Sequence, residues 1–199
     1  MRKTERKCAR CVDDMPLTAR TDARFCSTRC RVAAHRAAKT NPIPDELRTR
    51  DRWVRRSASK VPLTTAGKAA SSTDPRTWAT YDAACSSSAG TGTGFVLNGD
   101  GIVCLDLDHA LSADGTPKPW AAEILRQAGA TYVEVSASGD GLHIFGYADV
   151  RQGRRIRREG GYAVEVYGDG RYIAMTGHRF RGAPSTLTEL SVLVGQLTA

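Results

Sequence analysis

Residues Ile102–His109 read I-V-C-L-D-L-D-H. Four apolar residues run into two aspartates, Asp106 and Asp108, separated by Leu107. Side chains alternate across a strand, so both carboxylates point to one side and Leu107 to the other. Oxygen ligands two apart at a strand end suit hard divalent cations such as magnesium or manganese. The same spacing also describes a strand that simply ends in a polar turn. The surrounding chain has to separate these two readings.

Working outward, Gly94–Asn98 (G-F-V-L-N) precedes this strand across Gly99-Asp100-Gly101, a pattern that predicts a hairpin. Tyr132–Ser138 and Leu142–Tyr147 give a second hairpin across Gly139-Asp140-Gly141. Ala163–Tyr167 and Tyr172–Thr176 give a third across Gly168-Asp169-Gly170. Between the first and second lies an amphipathic helix, Pro119–Gly129, built on Trp120, Ile124 and Leu125. Upstream, Trp53–Val54 suits an edge strand. Asp74-Pro75 predicts a helix running to Ala84, with Asp74 as N-cap and Trp78, Tyr81 and Cys85 on its inner face. Thr186-x-x-Glu189 reads as a capping box opening a C-terminal helix through Leu190, Val194 and Leu197.

Two further stretches carry chemistry. Ser136–His143 reads S-A-S-G-D-G-L-H, and Gly139 and Gly141 let backbone N–H groups approach phosphate oxygens with no Cβ in the way. Glu165 sits between Val164 and Val166 and points away from both, toward a cleft or solvent. Between them, residues 151–158 (R-Q-G-R-R-I-R-R) hold five arginines: Arg151, Arg154, Arg155, Arg157 and Arg158. This segment reads as a loop near the cleft, suited to template phosphates or a triphosphate.

The N-terminal third has a different character. Residues 1–60 contain 17 Lys and Arg against seven Asp and Glu, whereas the remainder contains 12 against 14. The net charge of +8 is therefore concentrated at one end, which points to an anionic polymer such as nucleic acid. The same third holds C-A-R-C (Cys8, Cys11) and C-S-T-R-C (Cys26, Cys30), separated by fourteen residues. Two such pairs close a tetrahedral zinc site, and in a reducing compartment they are metal ligands rather than disulfides. A short basic helix with Val32, His35 and Arg36 follows, and Thr40–Pro44 breaks it with two prolines. Cys104 reads as a small buried hydrophobe.

Length and composition set the frame. With 199 residues, 41% hydrophobic and 25% charged, the chain fits one globular domain plus a small appendage. The domain reading is a zinc-binding basic element over residues 1–38, a linker over 39–50 and a catalytic domain over 51–199. No apolar run approaches the roughly 18 residues that a membrane span needs, and the start lacks a signal-peptide core. The expectation is a cytoplasmic protein with no membrane partner.

D-x-D, then S-x-S-G-x-G-x-H, then E-x-Y with R-Y-x-x-x-T-G, in this order, resembles the primase-polymerases of phages, plasmids and mobile elements, within the archaeo-eukaryotic primase superfamily. D-R-W-V through D-P-R-T-W is similar to that family's lead-in, so the resemblance covers about residues 50–180. It implies an α+β fold, with an RRM-like antiparallel catalytic sheet beside an N-terminal α/β unit. It implies template-directed nucleotidyl transfer, with single-stranded DNA and nucleoside triphosphates as partners. By the same resemblance Asp106, Asp108 and Glu165 hold two magnesium or manganese ions. His143 contacts the incoming triphosphate, with Ser136, Ser138, Gly139, Gly141 and Arg171 completing the nucleotide site. Many relatives continue into a helicase domain where this chain ends, so a separate replicative helicase or another role is implied. Two alternatives from other classes remain: a non-catalytic zinc-containing replication-initiation or DNA-binding protein, and a metal-dependent nuclease.

Overall fold

The computed structural model describes residues 6–8, 11, 14–16, 18–32, 42–158 and 161–199. They form two compact units, divided between residues 42 and 43. In the first unit, Ser27 Oγ accepts from Cys30 N at 3.2 Å and starts a helical turn over residues 28–32. The predicted positions of His35 and Arg36 on that helix lie outside the described residues.

The second unit is an α+β fold with two antiparallel sheets. Its elements are α1 (Asp45–Arg48), β1 (Trp53–Arg56), β2 (Pro62–Leu63), a 3₁₀ turn (Pro75–Thr77), α2 (Tyr81–Ser86) and β3 (Gly92–Asn98). They continue with β4 (Ile102–Leu107), α3 (Pro119–Ala128), β5 (Val133–Val135), β6 (Leu142–Tyr147), β7 (Arg154–Arg157), β8 (Ala163–Tyr167), β9 (Asp169–Met175) and α4 (Ser191–Thr198). Sheet one has the order β2-β1-β3-β9 and sheet two the order β5-β6-β4-β8-β7. Helices α3 and α4 pack Ala121, Ile124, Leu193 and Val194 against one face of sheet two, onto Val103, Leu105, Leu107, Leu142, Ile144, Val164 and Val166. A second core joins Trp53, Phe95, Leu97, Ile173 and Met175 to the opposite face through Ile102, Cys104, Tyr132 and Phe145.

Of the three expected hairpins, only β5–β6 pairs as one. β3 and β4 lie in different sheets, and so do β8 and β9. Instead β3 pairs with β9 and β4 with β8, and Gly99 N donates to Gly168 O at 2.9 Å where they meet. The result is one two-stranded ribbon that turns a corner between the sheets at two glycine-rich points. Positive φ at Gly99, Gly101 and Gly170 serves the corner as well as it would serve a reversal.

Other expectations change for local reasons. Asp74 caps only the 3₁₀ turn, and a second cap, Thr80 Oγ1 accepting from Ala83 N, starts α2 afresh. Tyr81 meets Trp53 edge-on at 4.8 Å, Trp78 is half-buried with its Nε1 donating to Ser71 O, and Cys85 is exposed. β1 lies between β2 and β3, so it is not an edge strand. Residues 187–190 run extended beside Tyr147, which exchanges hydrogen bonds with Thr188 and Leu190. Helix α4 therefore begins at Ser191, and Thr186 caps nothing. Residues 43–50, read as the end of a linker, carry α1. Leu47 is fully buried there, and its carbonyl accepts from Trp53 Nε1 at 3.1 Å. The arginine segment 151–158 is a strand over Arg154–Arg157 that extends sheet two.

Candidate active site

The face of sheet two turned toward sheet one carries two rows of side chains. The inner row, with Phe145, Cys104 and Tyr167 side by side in register, borders the second core. The next row out is polar and crosses all five strands in register: Glu134, His143, Asp106, Glu165 and Arg155. Alternation places this row on the same face as its apolar neighbours two residues along each strand.

Asp106 lies at the centre. His143 Nε2 is 3.7 Å from its Oδ1, and Glu165 faces it from the other side. Burial pushes the Asp106 carboxyl above its ordinary value. His143 pulls it back, Asp108 and Glu165 push it further, and Lys60 lowers it again. Asp108 and Glu165 therefore both act on Asp106, and so does Lys60, in the β1–β2 turn. Asp108 follows the end of β4 and is exposed. Glu165 is already engaged: Tyr167 Oη donates to its Oε2 at 2.6 Å and Arg155 Nε lies 3.3 Å from its Oε1. Burial, and donation to Glu165, push the Tyr167 phenol up to about 12. Arg171 stacks over the Tyr167 ring at 4.7 Å, one shell back from the carboxylates. Oxygen donors are what a hard divalent cation prefers, but Lys60 and Arg155 already lean on this set, and among the described residues only the four N-terminal cysteines are gathered closely enough to hold a metal ion.

The Ser136–Gly141 turn abuts the end of β4. A Cβ on Gly141 would meet Ser136 Oγ at 2.7 Å and Leu107 O at 3.0 Å, so only glycine permits this approach. The hydroxyls of Ser136 and Ser138 lie 2.9 Å apart, and Ser138 Oγ donates to Asp140 at 2.6 Å. His109, in the left-handed region at φ 52°, bonds the other Asp140 oxygen at 2.6 Å, which clasps the D-x-D turn to the glycine turn. Beside the glycine turn is a cavity of about 600 Å³ lined by Arg55, Arg56, Ser136, Ser138, Gly139, Thr176 and His178. That volume suits a nucleotide-sized ligand.

The five arginines separate by face. Arg154 and Arg158 turn toward α4 and donate to Thr198 O at 3.0 Å and Leu197 O at 2.7 Å. Cations at a helix C-terminus are stabilising there. Arg155 shares the face of Glu165, and Arg157 shares the face of Arg155. Arg151 lies outside the strand, 3.8 Å from Asp149.

Two site residues escaped the sequence reading, Glu134 and Lys60, and Tyr167 entered it only as the last residue of E-x-Y, with no role assigned. Glu134 was the most accessible, because Val133-Glu134-Val135 repeats the pattern that drew attention to Glu165. Lys60 gives no local sign of its proximity to Asp106.

In the first unit, the Sγ atoms of Cys8, Cys11, Cys26 and Cys30 lie within 4.8 Å of one another. The Cys11–Cys26, Cys26–Cys30 and Cys30–Cys11 separations are 3.5, 3.6 and 3.7 Å. A thiolate tetrahedron with metal–sulfur bonds of about 2.3 Å has edges of about 3.8 Å, so this cluster fits a metal of that kind. Among the described residues no helix is long and apolar enough to cross a membrane.

Comparison with known proteins gives the family. The chain is 38% identical over 138 residues to a DNA primase-polymerase of Nitratiruptor phage NrS-1, covering 65% of this chain and 19% of that protein. Its residues 23–192 match the family model described as bifunctional DNA primase/polymerase, N-terminal. With 170 of the 199 residues inside that match, the chain belongs to the bifunctional DNA primase/polymerase family.

Proposed function

We propose that this chain is the catalytic core of a DNA primase-polymerase that performs template-directed nucleotidyl transfer in the replication of a phage, plasmid or mobile element. The supporting observation is the in-register row His143–Asp106–Glu165 on one face of sheet two. Asp106, Asp108 and Glu165 would hold two divalent cations, magnesium or manganese. Bound there, such ions activate a primer hydroxyl and neutralise the leaving pyrophosphate.

The protein's own part is positioning and charge. His143 presents Nε2 to the incoming triphosphate, and the Ser136–Gly141 turn offers hydroxyls and backbone donors from the cavity side. Arg56 and His178 also line that cavity, and Arg171 braces Tyr167 behind Glu165. Arg155 and Arg157 face the template side of the row. Cys8, Cys11, Cys26 and Cys30 hold one zinc ion, and their basic surroundings bind single-stranded DNA. The protein would act in the cytoplasm, with a helicase opening the duplex.

A primer-free synthesis assay on single-stranded DNA tests this reading, run with ribonucleotides and with deoxynucleotides. Magnesium- or manganese-dependent products from the wild type, absent in Asp106→Ala, are the expected result. DNA binding without synthesis under any condition would favour a non-catalytic replication protein, and degradation of the template would favour a nuclease.

A further inference from the structure

Glu134 is a charged side chain with no exposed surface. It sits on β5, directly across from His143 on β6. Its Oε1 accepts from His143 Nδ1 at 3.0 Å and its Oε2 from Tyr132 Oη at 2.8 Å. Thr176 N donates toward both oxygens at 3.2 Å, and Gly177 N donates to Oε2 at 2.9 Å. The three partners other than His143 all donate to it, so the carboxylate is held as an acceptor.

Burying such a group costs stability unless it is fully paired, and an apolar residue would fill the same core without that cost. Three of its four partners are fixed: two belong to backbone and one to a buried tyrosine. His143 is the remaining partner, and it meets a carboxylate that the other three hold in place. The T-G end of β9 also acquires a role, since Thr176 and Gly177 aim their N–H groups at Glu134 and so anchor the carboxylate from sheet one. An imidazole facing an acceptor-only group through Nδ1 must carry its proton there. Nε2 is then the atom left facing the cleft, 3.7 Å from Asp106 Oδ1 and beyond direct hydrogen-bond range.

We propose that Glu134 is a positioning residue that fixes the ring plane and tautomer of His143, so that Nε2 is the atom offered to the nucleotide. The inference rests on the nucleotide-contacting role of His143 set out above. Second-shell carboxylates do the same for histidines that ligate metals. Without Glu134 the ring is free to turn about χ2 and to exchange its two nitrogens.

The test uses the full chain with ¹⁵N-labelled histidine. The chain holds four histidines, so comparison with His143→Gln assigns the relevant signals. Long-range ¹H–¹⁵N correlations of the wild type are expected to show a protonated Nδ1 at His143, and an unprotonated Nδ1 overturns the proposal. This readout decides the matter even if variants at Glu134 fail to fold. In Glu134→Gln the Nδ1 proton signature is expected to be lost, and the nucleotide KM to rise tenfold or more with kcat changing less. In a His143→Gln background, Glu134→Gln is expected to raise KM no further. Effects that multiply in the double variant mean that Glu134 acts only through the fold, and overturn the proposal. A wild type with protonated Nδ1 that incorporates no nucleotide would instead overturn the reading of the site and leave the Glu134–His143 pair standing.

Discussion

Arg155 Nε lies 3.3 Å from Glu165 Oε1, with the glutamate side chain 11% exposed and the arginine 56%. A carboxylate proposed to bind a divalent cation is thus already covered by a side-chain cation from the edge strand. An ion pair with one exposed partner is worth at most about 1 kcal/mol, so it can be displaced. Arg155→Ala should therefore tighten Mn2+ binding to the nucleotide-free protein by up to about fivefold. Electron paramagnetic titration of Mn2+ reads this directly. Unchanged affinity would remove Glu165 from the metal site.

Asp106→Ala and Asp108→Ala should each abolish nucleotide incorporation while leaving single-stranded DNA affinity within about twofold, because phosphate contacts come from arginines. Glu165→Ala should be equally severe. Primer extension beside a fluorescence-anisotropy binding curve separates the two effects. Extension by the double aspartate variant would end the case for this site.

The arginine strand should divide by face. Arg154→Ala and Arg158→Ala remove cations from the end of α4 and should each cost about 0.5–1 kcal/mol of stability with little change in DNA binding. Arg157→Ala should leave stability unchanged and reduce the slope of log affinity against log salt by about 0.7. The reverse pattern in urea denaturation and salt titration would mean the faces are misassigned.

The thiols should react in three classes. Cys85 is exposed and should modify quickly with a disulfide reagent in the native protein. The four clustered thiols should become reactive only after metal chelation. Cys104 is fully buried, and burial, with Asp106 and Glu134 nearby, holds its thiol well above the ordinary value. It should react only on unfolding. Rapid modification of the four clustered cysteines without a chelator would argue against bound metal.

Leu47→Ala should cost about 2–5 kcal/mol, the usual range for deleting a buried leucine side chain. Thermal or urea unfolding measures it. A cost below about 0.5 kcal/mol would return residues 43–50 to the status of a linker.

Much of this site could be read from the chain because its determinants are local. Asp106, His143 and Glu165 each sit in a strand with clear alternation, and Gly139 and Gly141 mark a true hairpin. The Cys8–Cys30 spacing carries its own geometry. What could not be read depends on partners far away in sequence. Gly99–Gly101 and Gly168–Gly170 look like hairpin turns because a glycine's positive φ is the same in a reversal and in a corner. Only the pairing of Phe95 with Ile173 tells them apart. The face on which Arg155 emerges likewise depends on its register with Glu165, not on its neighbours.

The bent ribbon also sets an order of events in time. Asp106 gains its neighbour Glu165, and Phe95 its neighbour Ile173, only from chain made much later. Distant pairings form slowly because the intervening loop must close first. The β5–β6 hairpin needs no such wait. Pulsed hydrogen exchange should therefore find amides of β5 and β6 protected before those of β4 and β8. On a ribosome, a nascent chain that has emerged only as far as His143 already carries three members of the row, Asp106, Glu134 and His143. It still lacks the two strands that bring Arg155 and Glu165, so the site is completed only as the last strands arrive.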